Sequence, residues 1–233
     1  SKVDVMKERV LDINPEANVK KYNMFFSPET SKEFDFSQYD YVVDAIDSVT
    51  GKIELVLKSQ EKNIPIISEV EFAYLNSDTP FIAITGTNGK TTTTALIAHL
   101  LSQNFDAPAC GNIGLPPSSL AEDDNDFLVC EISSYQAQMT DVFKPFISCW
   151  TNFTPDHIDW HEGLDNYFKA KAKIFLNKQA PEYAILNAKD EKLMTEIAVG
   201  ISDKHLFENQ KVYLLTGVLK DKDYRSIAKD LSQ

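Results

Sequence analysis

The segment Phe81-Ile82-Ala83-Ile84-Thr85-Gly86-Thr87-Asn88-Gly89-Lys90-Thr91-Thr92-Thr93-Thr94 passes from an apolar run, through a glycine-bearing loop, into Lys90-Thr91 and a helical pattern. Residues 81–85 are apolar or β-branched without alternation, the composition of a strand covered on both faces. Ala95, Ala98 and Leu101, with Leu96 and Leu100, then recur at helical spacing. Each part has a physical use at an anion. Gly86 and Gly89 let the backbone curl so that successive N–H groups point inward, and the helix start adds its dipole. Lys90 would neutralise β/γ-phosphates, and the Thr91 hydroxyl would sit where Mg²⁺ binds.

The full phosphate-loop pattern G-x-x-x-x-G-K-[ST] needs glycine at position 84, where this chain has Ile84, so the match is to a shortened version. A GTPase is disfavoured: Asn177-Lys178-Gln179-Ala180 lacks the aspartate of the base-reading N-K-x-D motif. Of the 8 glycines, Gly86, Gly89, Gly111 and Gly114 cluster around this region, as expected where backbone must approach a ligand closely.

Outward from this segment, short apolar runs alternate with helical patterns. Strands are expected at 41–46, 64–67, 81–85, 127–132, 146–151, 183–186 and 211–216. Val3, Met6, Val10 and Ile13 mark one helix, and Tyr167, Ala170, Ile174 and Phe175 another. The alternation predicts an α/β fold of three layers, with mostly parallel, doubly wound sheets. Asn76-Ser77-Asp78-Thr79-Pro80 is a loop signal before the strand at 81, which puts a boundary between residues 68 and 79.

Composition bounds the function. With 23 basic and 35 acidic residues, the formal charge of −12 disfavours nucleic acid or an anionic membrane as partner. Hydrophobic residues at 43% and charged residues at 25% fit an ordinary globular protein. No apolar run is long enough to span a bilayer, and the first residues do not read as a signal peptide. The 3 cysteines, Cys110, Cys130 and Cys149, lack C-x-x-C spacing and are expected to be reduced, buried thiols in a cytoplasmic protein.

The motifs resemble those of the Mur ligases. Gly86-Thr87-Asn88-Gly89-Lys90-Thr91-Thr92 looks like the family's ATP loop. In the family's order follow Gly111-Asn112-Ile113-Gly114, Glu131-Ile132-Ser133-Ser134-Tyr135-Gln136, Asn152-Phe153-Thr154-Pro155-Asp156-His157-Ile158-Asp159, and Tyr167-Phe168-Lys169-Ala170-Lys171-Ala172-Lys173-Ile174. Two of these versions look most like the D-glutamate-adding branch, and the resemblance covers about residues 64–190. Residues 1–68 resemble part of a ubiquitin-activating-type adenylating enzyme, whose glycine-rich ATP loop has no counterpart here. Residues 211–232 resemble the C-terminal domain of folylpolyglutamate synthase. The organisation implied is a partial Rossmann-like segment (1–68), a Mur-ligase-like ATP-binding domain (69–205) and a ligase C-terminal fragment (206–233), together reading as a chimera, with a single divergent natural gene as the alternative.

The resemblance implies ATP and Mg²⁺ as cofactors. It also implies activation of a UDP-linked muramoyl-alanine carboxylate as an acyl phosphate, then attack by D-glutamate, in peptidoglycan precursor synthesis. Residues 86–92 would bind nucleotide, and Thr91 and Glu131 would hold Mg²⁺. Glu131 ends a buried strand, where a carboxylate reaches ligands at the sheet's C-terminal edge. His157 would serve a second Mg²⁺, and Lys171 matches the lysine that the family carbamylates. Asn112 would present its amide to substrate. His161 is expected at the surface, and Asp44 and Asp47 are expected to be structural. The family's uridine-binding loop and its amino-acid-binding stretch have no match, so Mg-nucleotide binding without turnover is the second expectation. An adenylating enzyme is the third.

Overall fold

The structure is a computed structural model that describes residues 2–44, 46, 48–198 and 211–215. Asp47 and most of the 206–233 segment therefore lie outside the described residues. The chain divides into two compact units, Ser1–Ile66 and Ile67–Gln233.

The first unit contains helix α1 (Lys2–Ile13), strand β1 (Val42–Asp44) and helix α2 (Val49–Glu61). Its interior is aromatic. The Phe26 ring meets Phe34 at 5.3 Å and Phe36 at 5.9 Å, and Tyr22 lies tilted against Phe34 at 4.5 Å. Ser48 caps α2 by accepting from Gly51 N–H. Asp44 is buried, accepting from Lys52 Nζ at 2.6 Å and from Ile46 N–H at 3.0 Å. That pairing gives it a structural role within the unit. The predicted helix at the start is present, but Met6, Val10 and Ile13 of its stripe are exposed.

Strand β2 (Ile66–Ser68) leads into the second unit. Ser68 ends it and caps α3 (Glu69–Leu75), its Oγ accepting from Glu71 N–H. There follow β3 (Phe81–Thr85), α4 (Lys90–Leu101), β4 (Ala109–Gly111), β5 (Leu128–Glu131), α5 (Ser134–Gln138) and β6 (Ile147–Trp150). The one-turn α6 (Ile158–His161), α7 (Leu164–Leu176), β7 (Tyr183–Asn187), a π-helical segment (Leu193–Ala198) and β8 (Lys211–Leu215) complete it.

The sheet runs β4-β5-β3-β6-β7-β8, with every described pairing parallel. Alternation along β3 splits the core into two layers. Phe81 and Ala83 join Leu128, Cys130, Trp150 and Leu186 beneath α3, α5 and α7. Ile82 and Ile84 join Val129 and Cys149 beneath α4, where Ala98, Ile97 and Leu101 pack. Helices cover both faces, the three-layer α/β fold expected from the alternating pattern. Leu96 and Leu100 were expected on the packed face of α4; both are exposed, because Thr94 and Ala98 turn toward the sheet instead.

Strand β4 was not expected. It has three residues, follows Pro108 and ends in Gly111, and so lacks the apolar run that marked the other strands. The observed order places β3 centrally. From it the chain winds to β4 and β5 on one side and β6, β7 and β8 on the other. That reversal leaves a crevice at the C-terminal ends of β3, β5 and β6, the place where open parallel sheets bind ligands.

Candidate functional site

Gly86 and Gly89 carry φ of +140° and +78°, so the loop between β3 and α4 uses backbone shapes that other residues rarely adopt. Gly86 is also sterically required: a Cβ there would lie 2.0 Å from Thr151 Oγ1. Gly89 caps α4, and Thr93 N–H closes the first turn onto Gly89 O at 3.0 Å. The amides just before Thr93 have no helical acceptor by geometry, and they make the start of α4 an anion-binding end. Lys90 Nζ donates to Thr87 O at 2.9 Å.

The expectation that successive loop amides all point inward needs correction. Thr87 N–H donates to Asn152 O at 3.0 Å, and Asn88 N–H donates to Asn152 Oδ1 at 2.9 Å. Donors for an anion therefore come from the α4 end of the loop.

Glu131, 2% exposed, ends β5 beside this loop. Thr91 Oγ1 donates to its Oε2 at 2.7 Å, and Asn112 Nδ2 donates to its Oε1 at 2.9 Å. Asn112 N–H also donates to Glu131 O at 2.8 Å. The fit depends on Gly111, since a Cβ at that position would lie 2.2 Å from Glu131 O. A hydroxyl and a carboxylate from two elements thus converge within bonding distance. Both are hard oxygen donors, and one carboxylate with a hydroxyl is a donor set that suits Mg²⁺ completed by phosphates and water.

Lys171 is only 2% exposed. Its α7 neighbours Tyr167, Ala170, Ile174 and Phe175 are buried too, so Lys171 belongs to the apolar face at helical spacing, whereas Lys169 is exposed. Lys171 Nζ donates to Gly86 O at 2.8 Å and lies 4.8 Å from the centre of the Tyr167 ring. Burial, reinforced by the charge of Lys90, pushes its pKa down to about 7, while Asp156 and Glu131 oppose the shift. A lysine that sheds its proton near neutrality is a nucleophilic amine.

His157 has positive φ at the start of α6, and its side chain is 46% exposed. Its ring lies 5.2 Å from Tyr135 and 6.2 Å from Tyr167, and its Nε2 is 3.5 Å from Asp156 Oδ2. It reaches the site through these rings rather than through a described bond to Glu131 or Lys90.

His161 does not lie at the surface. It is 4% exposed, pairs through Nε2 with Ser134 Oγ at 2.9 Å, and stacks near Tyr135 at 5.7 Å. Burial first, then the charges of His157 and Lys171, push its pKa down to about 4, so it is neutral at pH 7. One turn of α6 carries it inward, which sequence spacing alone did not indicate.

Residues 86–92, Asn112, Glu131 and Lys171 are thus brought together, with His157 at the rim. Residues without an expected role also belong here. Thr151, Asn152 and Thr154 clasp the loop, and Tyr167 OH lies 3.3 Å from Thr87 Oγ1. Asn152, Thr154 and Tyr167 were marked only by membership of the quoted motifs, and Thr151 only as the end of the expected strand 146–151.

Comparison with known proteins adds to this geometry. The Mur ligase middle domain family matches residues 84–222, and the ThiF family matches residues 1–142. UDP-N-acetylmuramoylalanine–D-glutamate ligase of Thermoanaerobacter pseudethanolicus is 38% identical over 199 residues, covering 81% of this chain and 44% of that protein. The enzyme of the same name from Streptococcus mutans is 46% identical over 136 residues, covering 57% of this chain and 30% of its own length. The chain spans less than half the length of these curated relatives. A solved UDP-N-acetylmuramoyl-L-alanyl-D-glutamate–2,6-diaminopimelate ligase superposes with a TM-score of 0.50 at 18% identity, covering 91% of this chain and 53% of that one, a likeness of fold.

Proposed function

Because the chain belongs to the Mur ligase family through its middle domain and carries a ThiF-family N-terminal region, we propose that it binds Mg-ATP at residues 86–92 and serves an ATP-dependent amide ligase of the Mur type. The observation that carries this reading is the Thr91–Glu131 contact at 2.7 Å, which joins the phosphate loop to a buried carboxylate at the sheet's switch point. Lys90 would neutralise the β/γ-phosphates after leaving Thr87 O. Thr91 and Glu131 would hold Mg²⁺, with His157 serving a second ion. Bound Mg²⁺ would offset charge on the phosphoryl oxygens. Asn112, fixed against Glu131, would present its amide to substrate.

In this reading a substrate carboxylate attacks the γ-phosphorus, and the bond to ADP breaks. An amine then attacks the acyl carbon, and phosphate leaves as the amide forms. The named relatives support a UDP-linked muramoyl-alanine as the carboxylate and D-glutamate as the amine. Lys171, a neutral amine near pH 7, would take up CO₂ to give a carbamate and a released proton. That carbamate would be an anion suited to holding the second Mg²⁺. A second reading, Mg-nucleotide binding without ligase turnover, needs only the loop at residues 86–92 and the Thr91–Glu131 pair.

Titration calorimetry with Mg-ADP and Mg-ATP, followed by a phosphate-release assay with the muramoyl substrate and D-glutamate, tests both. Binding with acceptor-dependent phosphate release establishes the ligase. Binding alone establishes the second reading, and no binding removes both.

A further inference from the structure

Three successive carbonyls of the phosphate loop are turned onto protein donors. Gly86 O accepts from Lys171 Nζ at 2.8 Å, and Thr87 O accepts from Lys90 Nζ at 2.9 Å. Asn88 O accepts from Asn152 Nδ2 at 2.9 Å and from Thr151 Oγ1 at 2.8 Å. Carbonyl oxygens facing an anion would repel it. Held on protein donors, they leave the amides at the start of α4 unopposed.

Asn152 does more than supply one of these donors. Its Oδ1 accepts from Asn88 N–H at 2.9 Å while its Nδ2 bonds Asn88 O. One carboxamide thereby satisfies both backbone polar groups of a single loop residue, as a neighbouring strand would. Asn152 O takes Thr87 N–H at 3.0 Å, and Thr87 Oγ1 is held between Thr154 O at 2.9 Å and Thr154 N–H at 3.0 Å. The loop tip, Thr87 and Asn88, is thus fastened to the chain just after β6. Its shape is set across the sheet, since Thr85 and Trp150 are register partners at the ends of β3 and β6.

We propose that Asn152 is a positioning residue for nucleotide binding: its carboxamide holds the phosphate loop in the binding shape before the ligand arrives. The inference rests on the nucleotide-binding reading above. Ordering a loop residue costs conformational entropy, and a clasp already formed removes that cost from the binding step. Without the clasp only a fraction of molecules is competent, and apparent affinity falls by that fraction. The loss appears in the association rate. Once the nucleotide is seated, Lys90 and the α4 amides hold the loop, so the dissociation rate is preserved.

The test is stopped-flow binding of a fluorescent ADP analogue with Mg²⁺ to the full chain and to Asn152→Ala, Asn152→Asp and Lys90→Ala. Asn152→Ala should lower the association rate roughly tenfold and leave dissociation within about twofold. Asn152→Asp is nearly isosteric; it keeps the acceptor for Asn88 N–H but sets a carboxylate against Asn88 O. It should be impaired at least as much, with an unfolding midpoint near that of the parent chain. Lys90→Ala should instead speed dissociation. If the parent chain binds nucleotide and Asn152→Asp associates at the parental rate, or weakens only through dissociation, the inference is overturned while the nucleotide reading stands. If the parent chain binds no nucleotide, the nucleotide reading itself fails.

Discussion

Lys171 Nζ donates a 2.8 Å hydrogen bond to the carbonyl of Gly86, 85 positions earlier in the chain. The bond ties the buried face of α7 to the first residue of the phosphate loop. It also places two lysines, Lys171 and Lys90, on adjacent carbonyls of one loop. Burial first, then the nearby charge of Lys90, lets Lys171 give up its proton near neutrality.

Lys171 should make stability depend on pH. Its folded pKa, about 7, lies below the ordinary lysine value of 10.5, so between the two the unfolded chain binds the extra proton. Stability from this residue therefore rises as pH climbs from about 7 toward 10.5, and the penalty is complete below about 7. Lys171→Met should stabilise the fold by on the order of a few kcal/mol near neutrality, with a gain that shrinks toward alkaline pH. Urea unfolding at neutral and at strongly alkaline pH measures the difference. An equal gain at both would contradict the assignment.

Lys90→Ala should weaken Mg-ADP binding by about 1.5–3 kcal/mol, the scale of a hydrogen bond to a charged group. Calorimetric affinity is the measurement, and an unchanged value would remove residues 86–92 as the nucleotide site.

Gly86→Ala should cost at least tenfold in nucleotide affinity, about 1.4 kcal/mol. The new Cβ would meet Thr151 Oγ1 at 2.0 Å, and the residue's φ of +140° is foreign to alanine. Gly89 has open space around the same position, so a substitution there is strained by φ of +78° alone. Gly86→Ala should therefore lose more affinity than Gly89→Ala when the two are titrated side by side.

Glu71 tests the scaffold rather than the site. It is buried, and its two oxygens accept from Val142 N–H at 2.8 Å and Phe143 N–H at 3.1 Å. Removing the carboxylate orphans the buried Phe143 donor and the half-buried Val142 donor, so Glu71→Ala should destabilise by roughly 2–4 kcal/mol in urea unfolding. Glu71→Gln, which keeps one acceptor, should lose less.

All three cysteines are free and buried. Burial holds the Cys149 thiol up at about 11, and the neighbouring Cys110, with burial, raises Cys130 well above the ordinary range. Thiolate is the reactive form. Native protein at pH 8 should therefore react with a maleimide far more slowly than protein in denaturant, and rapid native labelling of Cys130 or Cys149 would contradict the packing.

The strand-loop-helix around Gly86 was legible in the sequence because it is local. An apolar run, a pair of glycines and a lysine follow one another within a few residues, and each has a backbone or charge requirement that composition reveals. The same holds for the buried face of α7, where helical spacing collects Tyr167, Ala170, Ile174 and Phe175. Layering followed from alternation, and the motifs named the residues of the site. Tertiary structure decided what depends on pairing across the sheet. Strand β4, too short and glycine-ended to show a pattern, exists because β5 supplies its partner, with Cys110 opposite Cys130. His161 is buried because one turn of α6 carries it onto Ser134, and Lys171 is a depressed base because α7 docks where Gly86 O and Lys90 already lie. Asn152 reaches the phosphate loop only through the β3–β6 register, 64 residues from Asn88. Local propensity is written residue by residue, whereas burial, pKa and a side chain's partner are properties of neighbours that distant sequence brings into place.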